Sequence, residues 1–142
     1  MMNVKGKNII ITGGSLGIGK ETAKDLVKKG ANVLITGRSE DRLIEAKNYT
    51  GSKIIEFDIS DHDNMQSNAK KCIDILGGRV DALINNAGIG VRKSINELNI
   101  DDFLKVFNVN VFGLALFTKE IIPSMIKESY GTIINIGSTA SL

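Results

Sequence analysis

The chain has 142 residues, 42% of them hydrophobic and 24% charged, which is the size and composition of one globular domain. A net charge of +2 is too small to favour a nucleic acid or a membrane surface as a partner. The single cysteine excludes an intramolecular disulfide and a cysteine-rich metal site. The first apolar run is too short for a signal peptide, so we expect a cytoplasmic protein.

Short runs of β-branched residues alternate along the chain with longer segments of helical periodicity. The runs predict strands at 7–12, 32–36, 53–57, 80–86 and 131–136. The longer segments predict helices at 17–29, 39–48, 61–76 and 100–127. The strands are almost continuously apolar, as strands covered on both faces are. The pattern predicts an α/β fold with a doubly wound parallel sheet, built as a single domain over 1–142.

The segment TGGSLGIGK, at 12–20, follows the first predicted strand and opens the first predicted helix. Gly13 permits the tight turn, Gly17 lets a diphosphate approach the backbone, and Gly19 lets the helix pack closely on the strand. The N-terminus of that helix offers N–H groups and a partial positive charge to phosphate oxygens. The order of strand, glycines and helix therefore predicts a dinucleotide site.

The glycine spacing Gly-x-x-x-Gly-x-Gly, with Thr12 before it and Ile18 inside it, resembles the short-chain dehydrogenase/reductase family. Four further motifs follow in the family's order: FDIS at 57–60, NNAG at 85–88, NVNVFG at 108–113 and IINIGS at 133–138. The resemblance implies a Rossmann-like sheet with strand order 3-2-1-4-5. It also implies an NAD(P)-dependent oxidoreductase that transfers hydride between the nicotinamide and a small carbonyl or alcohol substrate.

The resemblance also assigns cofactor contacts. Asp58 would bind the adenine amino group through its carboxylate and Ile59 the ring through its backbone, while Asn85 would line the adenosine side and brace the central strands. The cofactor-binding residues expected in this way are Thr12, Gly13, Ser15, Leu16, Gly17, Ile18, Gly19, Arg38, Asp58, Ile59, Asn85, Ala87 and Gly88.

Two of these motifs have alternative interpretations from the residues alone. NNAG could simply form a turn, because Asn and Gly favour turns. Asp58 could belong to the start of the next helix, with Ser60 or Asp61 as its N-cap.

The end of the second predicted strand, ITGRS at 35–39, bears on cofactor choice. NAD binding usually relies on an acidic side chain there, which Thr36 and Gly37 do not supply. Arg38 follows, and its guanidinium suits the 2′-phosphate of NADP(H) through charge-assisted hydrogen bonds. We predict NADP(H) over NAD(H), although Arg38 could also be a solvated residue at a helix start.

The family chemistry needs a tyrosine for proton transfer, with a lysine one helical turn later that lowers the pKa of the phenol. By resemblance, Ser138 holds the substrate oxygen and Asn110 anchors a water of the proton relay, which predicts a distortion of the helix around Asn110. The Tyr-x-x-x-Lys pair would lie beyond Leu142. We therefore expect the N-terminal, cofactor-binding part of an enzyme, incomplete at its C-terminus and inactive alone.

Other residues fit a catalytic or metal-binding role less well. Tyr49 and Lys53 have the right spacing, but Gly51 should break the helix between them, and they precede a strand, as Tyr130 does. His62 fits a polar residue at a helix start, and no histidine–carboxylate cluster suggests a metal. A non-catalytic NADP(H)-binding module and an inert remnant of a frame-shifted gene remain as alternatives.

The predicted helix at 100–127 carries apolar residues around more than the one face that a surface helix buries. Another part of the polypeptide or a second subunit must cover the remainder, so we expect a homo-oligomer, as the family resemblance also implies. The apolar strand at 131–136 would likewise form an exposed sheet edge if nothing followed it.

Overall fold

Five parallel strands form the centre of the structure, a computed structural model that describes residues 3–138. The strands are β1 (Asn8–Ile11), β2 (Asn32–Gly37), β3 (Lys53–Glu56), β4 (Ala82–Asn85) and β5 (Thr132–Asn135). Their order in the sheet is β3-β2-β1-β4-β5, which confirms the predicted topology. Ile10 of β1 pairs with Leu34 on one side and Leu83 on the other, so β1 lies at the centre.

Helices cover both faces of the sheet. They are α1 (Gly17–Lys28), α2 (Glu40–Thr50), α3 (Met65–Ile75), α4 (Ile100–Phe107) and α5 (Leu114–Lys127), with a short 3₁₀ turn at Ile95–Glu97. Because alternate strand residues point to opposite faces, Ile9 and Ile11 pack in the core layer with Ala23 of α1 and Leu43 of α2. Ile10 packs in the opposite layer with α3 and α5. The strands are continuously apolar because their alternate side chains enter the core layers on opposite faces of the sheet.

Helix α3 begins at Met65, four residues later than predicted. The Asp58 carboxylate accepts hydrogen bonds from the backbone N–H and the hydroxyl of Ser60, at 2.8 and 2.7 Å, and these bonds hold the chain in a turn. Asn64 occupies the N-cap position of α3, so the interpretation in which Ser60 or Asp61 caps this helix is wrong.

The helix predicted at 100–127 is interrupted by a π-helix at Asn108–Gly113, which separates α4 from α5. Asn110 lies inside it, where the sequence predicted a distortion. Short π-helical segments within α-helices often mark functional sites.

Much of the apolar surface of this helical stretch is exposed within residues 3–138. The side chains of Phe103, Leu104, Phe107, Val111 and Phe112 are all more than two-fifths exposed. By length and composition alone this stretch of 28 residues could cross a membrane, since an 18-residue window within it has a mean hydropathy of 1.4. Buried side chains of α5, among them Phe117 and Ile121, nevertheless belong to the sheet's core. We therefore interpret it as a core helix with an uncovered outer face.

The amino ends of the central strands are joined by a buried carboxylate. Asp81, whose side chain is 3% exposed, accepts a hydrogen bond from the Asn8 N–H at 2.8 Å and pairs with Arg79 at 3.2 Å and Lys7 at 3.6 Å. The Asn8 side chain donates to the carbonyl groups of Leu76 and Arg79. This cluster fixes the turn between α3 and β4 against the start of β1.

We predict that Asp81→Ala lowers the free energy of unfolding by about 2–3 kcal/mol, because a buried N–H and two cations lose their partner. Asp74→Ala is the matched control, since within residues 3–138 Asp74 pairs with Lys70 on the surface of α3 and such pairs contribute under about 1 kcal/mol. Urea unfolding of both variants measures the difference. Equal losses would contradict the structural role of Asp81.

Candidate cofactor site

An open cleft of about 750 Å³ lies where the central strands end. Most of its lining comes from the glycine loop between β1 and α1, the end of β2, the loop after β3 and the loop after β4, and Arg42 of α2 and Val109 of the π-helix complete it. This is the edge at which ligands bind in open parallel sheets. The expected cofactor residues that line the cleft are Gly13, Ser15, Leu16, Gly17, Arg38, Asp58, Ile59, Ala87 and Gly88.

The glycine loop leaves the N-terminus of α1 open to a ligand. Gly13 and Gly17 have positive φ values of 65° and 53°, which favour glycine. A Cβ on Gly13 would lie 2.8 Å from the Cα of Ala87, whereas a Cβ on Gly17 would meet nothing within 4 Å. Leu16 at the N-cap makes no side-chain hydrogen bond to the helix. The first amides of α1 therefore depend on water or a ligand.

Gly19 makes room for a neighbouring loop. A Cβ there would lie 2.5 Å from the Nδ2 atom of Asn86 and 2.7 Å from the carbonyl oxygen of Gly13. The Asn86 amide donates to the carbonyl groups of Thr12 and Gly13, at 3.1 and 3.0 Å. Asn86, the second asparagine of NNAG, is not among the cofactor-binding residues expected from the sequence.

Thr12 joins the same two loops from the other side. Its hydroxyl oxygen accepts hydrogen bonds from the backbone N–H groups of Asn86 and Ala87, both at 3.0 Å. Thr12 is fully buried and does not line the cleft, and neither do Ile18 and Gly19. Thr12 and Gly19 therefore support the cleft from behind, whereas the Ile18 side chain is exposed.

Arg38 and Asp58 face each other across one end of the cleft. The closest guanidinium nitrogen of Arg38 lies 3.9 Å from Oδ2 of Asp58, and both side chains are substantially exposed. Because Ser60 occupies Oδ1 of Asp58, Oδ2 is the oxygen that faces the arginine. Arg42 of α2 lines the same end, which gives the cleft a second guanidinium that the sequence analysis did not single out.

Asn85 points away from the cleft. Its buried amide nitrogen donates to Thr118 Oγ1 and to Asn135 Oδ1, both at 2.9 Å, and so links β4 to α5 and β5. Within residues 3–138, the Asn85 side-chain oxygen has no hydrogen-bond partner. In this structure the side chain holds neighbouring elements together, while Ala87 and Gly88 line the cleft.

Asn110 fixes the loop after β4. Its side-chain oxygen accepts from the N–H of Ile89 and its amide nitrogen donates to the Ile89 carbonyl, both at 2.9 Å. Ile89 itself lines the cleft. Ser138, the second expected catalytic residue, is exposed just beyond β5.

A salt bridge anchors the far part of the same loop to α4. The Lys93 ammonium lies 2.8 and 2.7 Å from the two carboxylate oxygens of Asp102. That contact, together with the Asn99 N–H, lowers the pKa of Asp102. Asn99 and Asp102 also form a capping box at the start of α4.

Both tyrosines lie away from the cleft. The Tyr49 hydroxyl donates to Glu21 at 3.2 Å, and its ring contacts Lys24, whose ammonium lies 3.7 Å from the ring centroid. The Tyr130 ring lies against Lys7 at the opposite edge of the sheet.

Burial raises the pKa of the Cys72 thiol to about 12, which makes it a poor nucleophile. Within residues 3–138, no group of three or more His, Cys, Asp or Glu side chains could hold a metal ion.

Comparison with known proteins agrees with this geometry. The sequence model of the family described as short chain dehydrogenase matches residues 7–142. The chain belongs to the short chain dehydrogenase family. A solved structure of a short chain dehydrogenase/reductase family protein superposes with a TM-score of 0.88 and 31% identity, over 99% of this chain and 58% of that one.

Two curated relatives have similar identities. An uncharacterized oxidoreductase of Staphylococcus epidermidis is 32% identical over 99% of this chain and 61% of its own length. The 2-dehydro-3-deoxy-L-rhamnonate dehydrogenase (NAD(+)) of a Sphingomonas species is 33% identical over 95% of this chain and 55% of its own length. The chain thus spans about three-fifths of the length of such relatives.

We predict that Gly19→Ala lowers the free energy of unfolding by about 1–3 kcal/mol, despite the better helix propensity of alanine, because the added methyl group displaces Asn86. Gly90→Ala is the control, since a Cβ at Gly90 meets nothing within 4 Å. Urea unfolding distinguishes the two. An unchanged or raised stability of Gly19→Ala would contradict the proposed contact.

Proposed function

We propose that this chain binds NADP(H) in the cleft and forms the cofactor-binding part of an oxidoreductase acting on a carbonyl or alcohol group. The observation that carries the proposal is the glycine loop, which opens the uncapped N-terminus of α1 into the cleft. Family membership supports dinucleotide binding in general. When bound, the nicotinamide would supply or accept the hydride.

The described residues fit such a cofactor. Open space above Gly17 leaves room for a diphosphate beside the α1 amides. Oδ2 of Asp58 and the backbone of Ile59 would contact the adenine ring, and Ala87 and Gly88, which also line the cleft, would flank the adenosine. Thr12 and Asn86 would act indirectly, by holding the loops that bind it.

The preference for NADP(H) rests on the arginines of this chain rather than on family membership, since the Sphingomonas relative is named for NAD(+). Arg38 and Arg42 both line the adenosine end of the cleft, where β2 ends in Thr36 and Gly37 without an acid. Two guanidinium groups favour a phosphate over ribose hydroxyls. We assign the 2′-phosphate to Arg38, with Arg42 contributing charge.

For the chemistry, we propose that Asn110 and Ser138 face the reacting end of the bound cofactor. Asn110 would act partly by holding Ile89, because both polar atoms of its side chain bond to that residue. The non-catalytic alternative, an NADP(H)-binding module, draws support from the position of Tyr49 and Tyr130 away from the cleft. We expect no NADPH oxidation by residues 1–142 with a carbonyl compound, because neither tyrosine lies at the cleft. Turnover by these residues would contradict both this expectation and the non-catalytic alternative.

We also propose that the exposed helix face formed by Phe103, Phe107 and Phe112 is covered by a second copy of the chain. Exposed apolar patches of this kind mark association surfaces. Sedimentation velocity should show a dimer or tetramer that Phe107→Asp converts to monomer. Ile95→Asp, at an exposed position on the 3₁₀ turn, should leave the assembly intact. A wild-type monomer would refute the proposal.

We predict that Arg38→Asp reverses the cofactor preference and weakens NADPH binding by about 10- to 100-fold, because charge-assisted hydrogen bonds are lost and a carboxylate opposes the phosphate. Calorimetric titration with NADPH and NADH measures both affinities. Lys71→Asp makes the same change of charge on the exposed face of α3 and should leave the ratio unchanged. An unchanged ratio in Arg38→Asp would refute the assignment. Absence of heat with either nucleotide would refute the function itself.

A further inference from the structure

The loop after β3 reaches the π-helix through the imidazole of His62. The Nε2 atom of this partly buried side chain lies 3.1 Å from the carbonyl oxygen of Asn108, the first residue of the π-helix. The ring also stands edge-on to Phe112 near the other end of the π-helix, with centroids 6.4 Å apart. His62 was expected to be a polar residue at a helix start, and it instead connects two elements.

The carbonyl contact fixes which atom of the imidazole carries a proton. A carbonyl oxygen can only accept, so Nε2 must donate and therefore carries hydrogen. A π-helix replaces the regular α-helical hydrogen-bond pattern at its ends. His62 thus supplies a donor at a carbonyl where the regular α4 pattern stops.

A second contact joins the same two elements. A Cβ on Gly113 would lie 2.5 Å from the carbonyl oxygen of Ile59, so only glycine allows the end of the π-helix to lie this close to the loop. The loop is itself held in a turn, because Ser60 donates twice to Asp58 and the His62 N–H donates to the Ser60 carbonyl at 3.1 Å. Loop and π-helix therefore meet at both ends of the π-helix.

The π-helix connects onward to the other end of the cleft. Asn110, between the two contacts, bonds both backbone groups of Ile89. A continuous series of contacts thus runs from Asp58 and Ile59, through His62 and the π-helix, to Asn110 and the loop after β4. We therefore expect a movement of the loop after β3 to change the contacts that hold the loop after β4.

We propose that His62 is a positioning residue that couples occupation of the adenosine end of the cleft to the placement of Asn110 and Ile89. The coupling rests on the proposed function, because it needs a ligand at Asp58 and Ile59. The effect of His62 on hydrogen exchange in the free protein does not depend on the proposed function. The hydrogen bond from Nε2 to the Asn108 carbonyl carries the effect, and the ring's packing on Phe112 does not.

Three variants separate these contributions. His62→Phe keeps an aromatic ring against Phe112 and removes the donor. His62→Gln restores an N–H donor without the ring. Asp63→Ala, at the exposed neighbouring position, controls for a general loosening of the loop.

Hydrogen exchange of the free protein is the first measurement. We expect the amides of 110–113 and of Ile89 to exchange about 5-fold faster in His62→Phe, the effect of losing one hydrogen bond. Wild-type rates are expected in His62→Gln and Asp63→Ala. Equal rates in all four proteins, or equal acceleration in both His62 variants, would overturn the positioning role.

The second measurement adds adenosine 2′,5′-bisphosphate, which has no nicotinamide and so cannot reach Asn110 directly. It should slow exchange at 110–113, which do not line the cleft, in the wild type and in His62→Gln, and leave it within about 2-fold in His62→Phe. Slowing at 16–19 should occur in all of them. Equal slowing at 110–113 in every variant would overturn the coupling. No slowing at 16–19 in the wild type would count against the proposed function, and the free-protein rates would then decide the role of His62.

Discussion

The geometry of the cleft depends on the hydrogen bonds that join the loops after β1 and β4. The Thr12 hydroxyl accepts from two amides of the second loop, and the Asn86 amide donates to two carbonyl groups of the first. Carbonyl groups occupied in this way cannot turn toward a bound phosphate and repel it. Because Thr12 is fully buried, water does not compete for these bonds. The space above Gly17 can therefore present N–H groups to an anion.

The two edges of the sheet are built differently, and this separates stability from binding. At the amino edge a buried carboxylate, Asp81, is satisfied by one amide and two cations. At the carboxyl edge the charged groups Arg38 and Asp58 remain exposed and 3.9 Å apart. Such a loose pair contributes little to folding and is easily separated, so it can exchange its partner for a ligand without loss of stability.

The strands could be predicted from the sequence because each one is an apolar run. The strand order followed from the family resemblance. The start of α3 was misplaced because the bonds from Ser60 to the Asp58 carboxylate compete with helix formation. The role of Asn86 depends on a loop more than 70 positions away, so the NNAG motif alone does not show it. His62 meets Asn108 across 46 positions of sequence. Contacts of this kind require the assembled fold.

The reactivity of the buried Cys72 thiol can be used to follow the local separation of α3 from the sheet. The thiol is fully buried between α3 and the sheet, and its pKa of about 12 leaves almost no thiolate at neutral pH. A thiol reagent can therefore react only in molecules in which α3 has separated from β1 and β4. The labelling rate, relative to the rate for a fully exposed thiol, therefore reports the free energy of that separation, without an introduced probe.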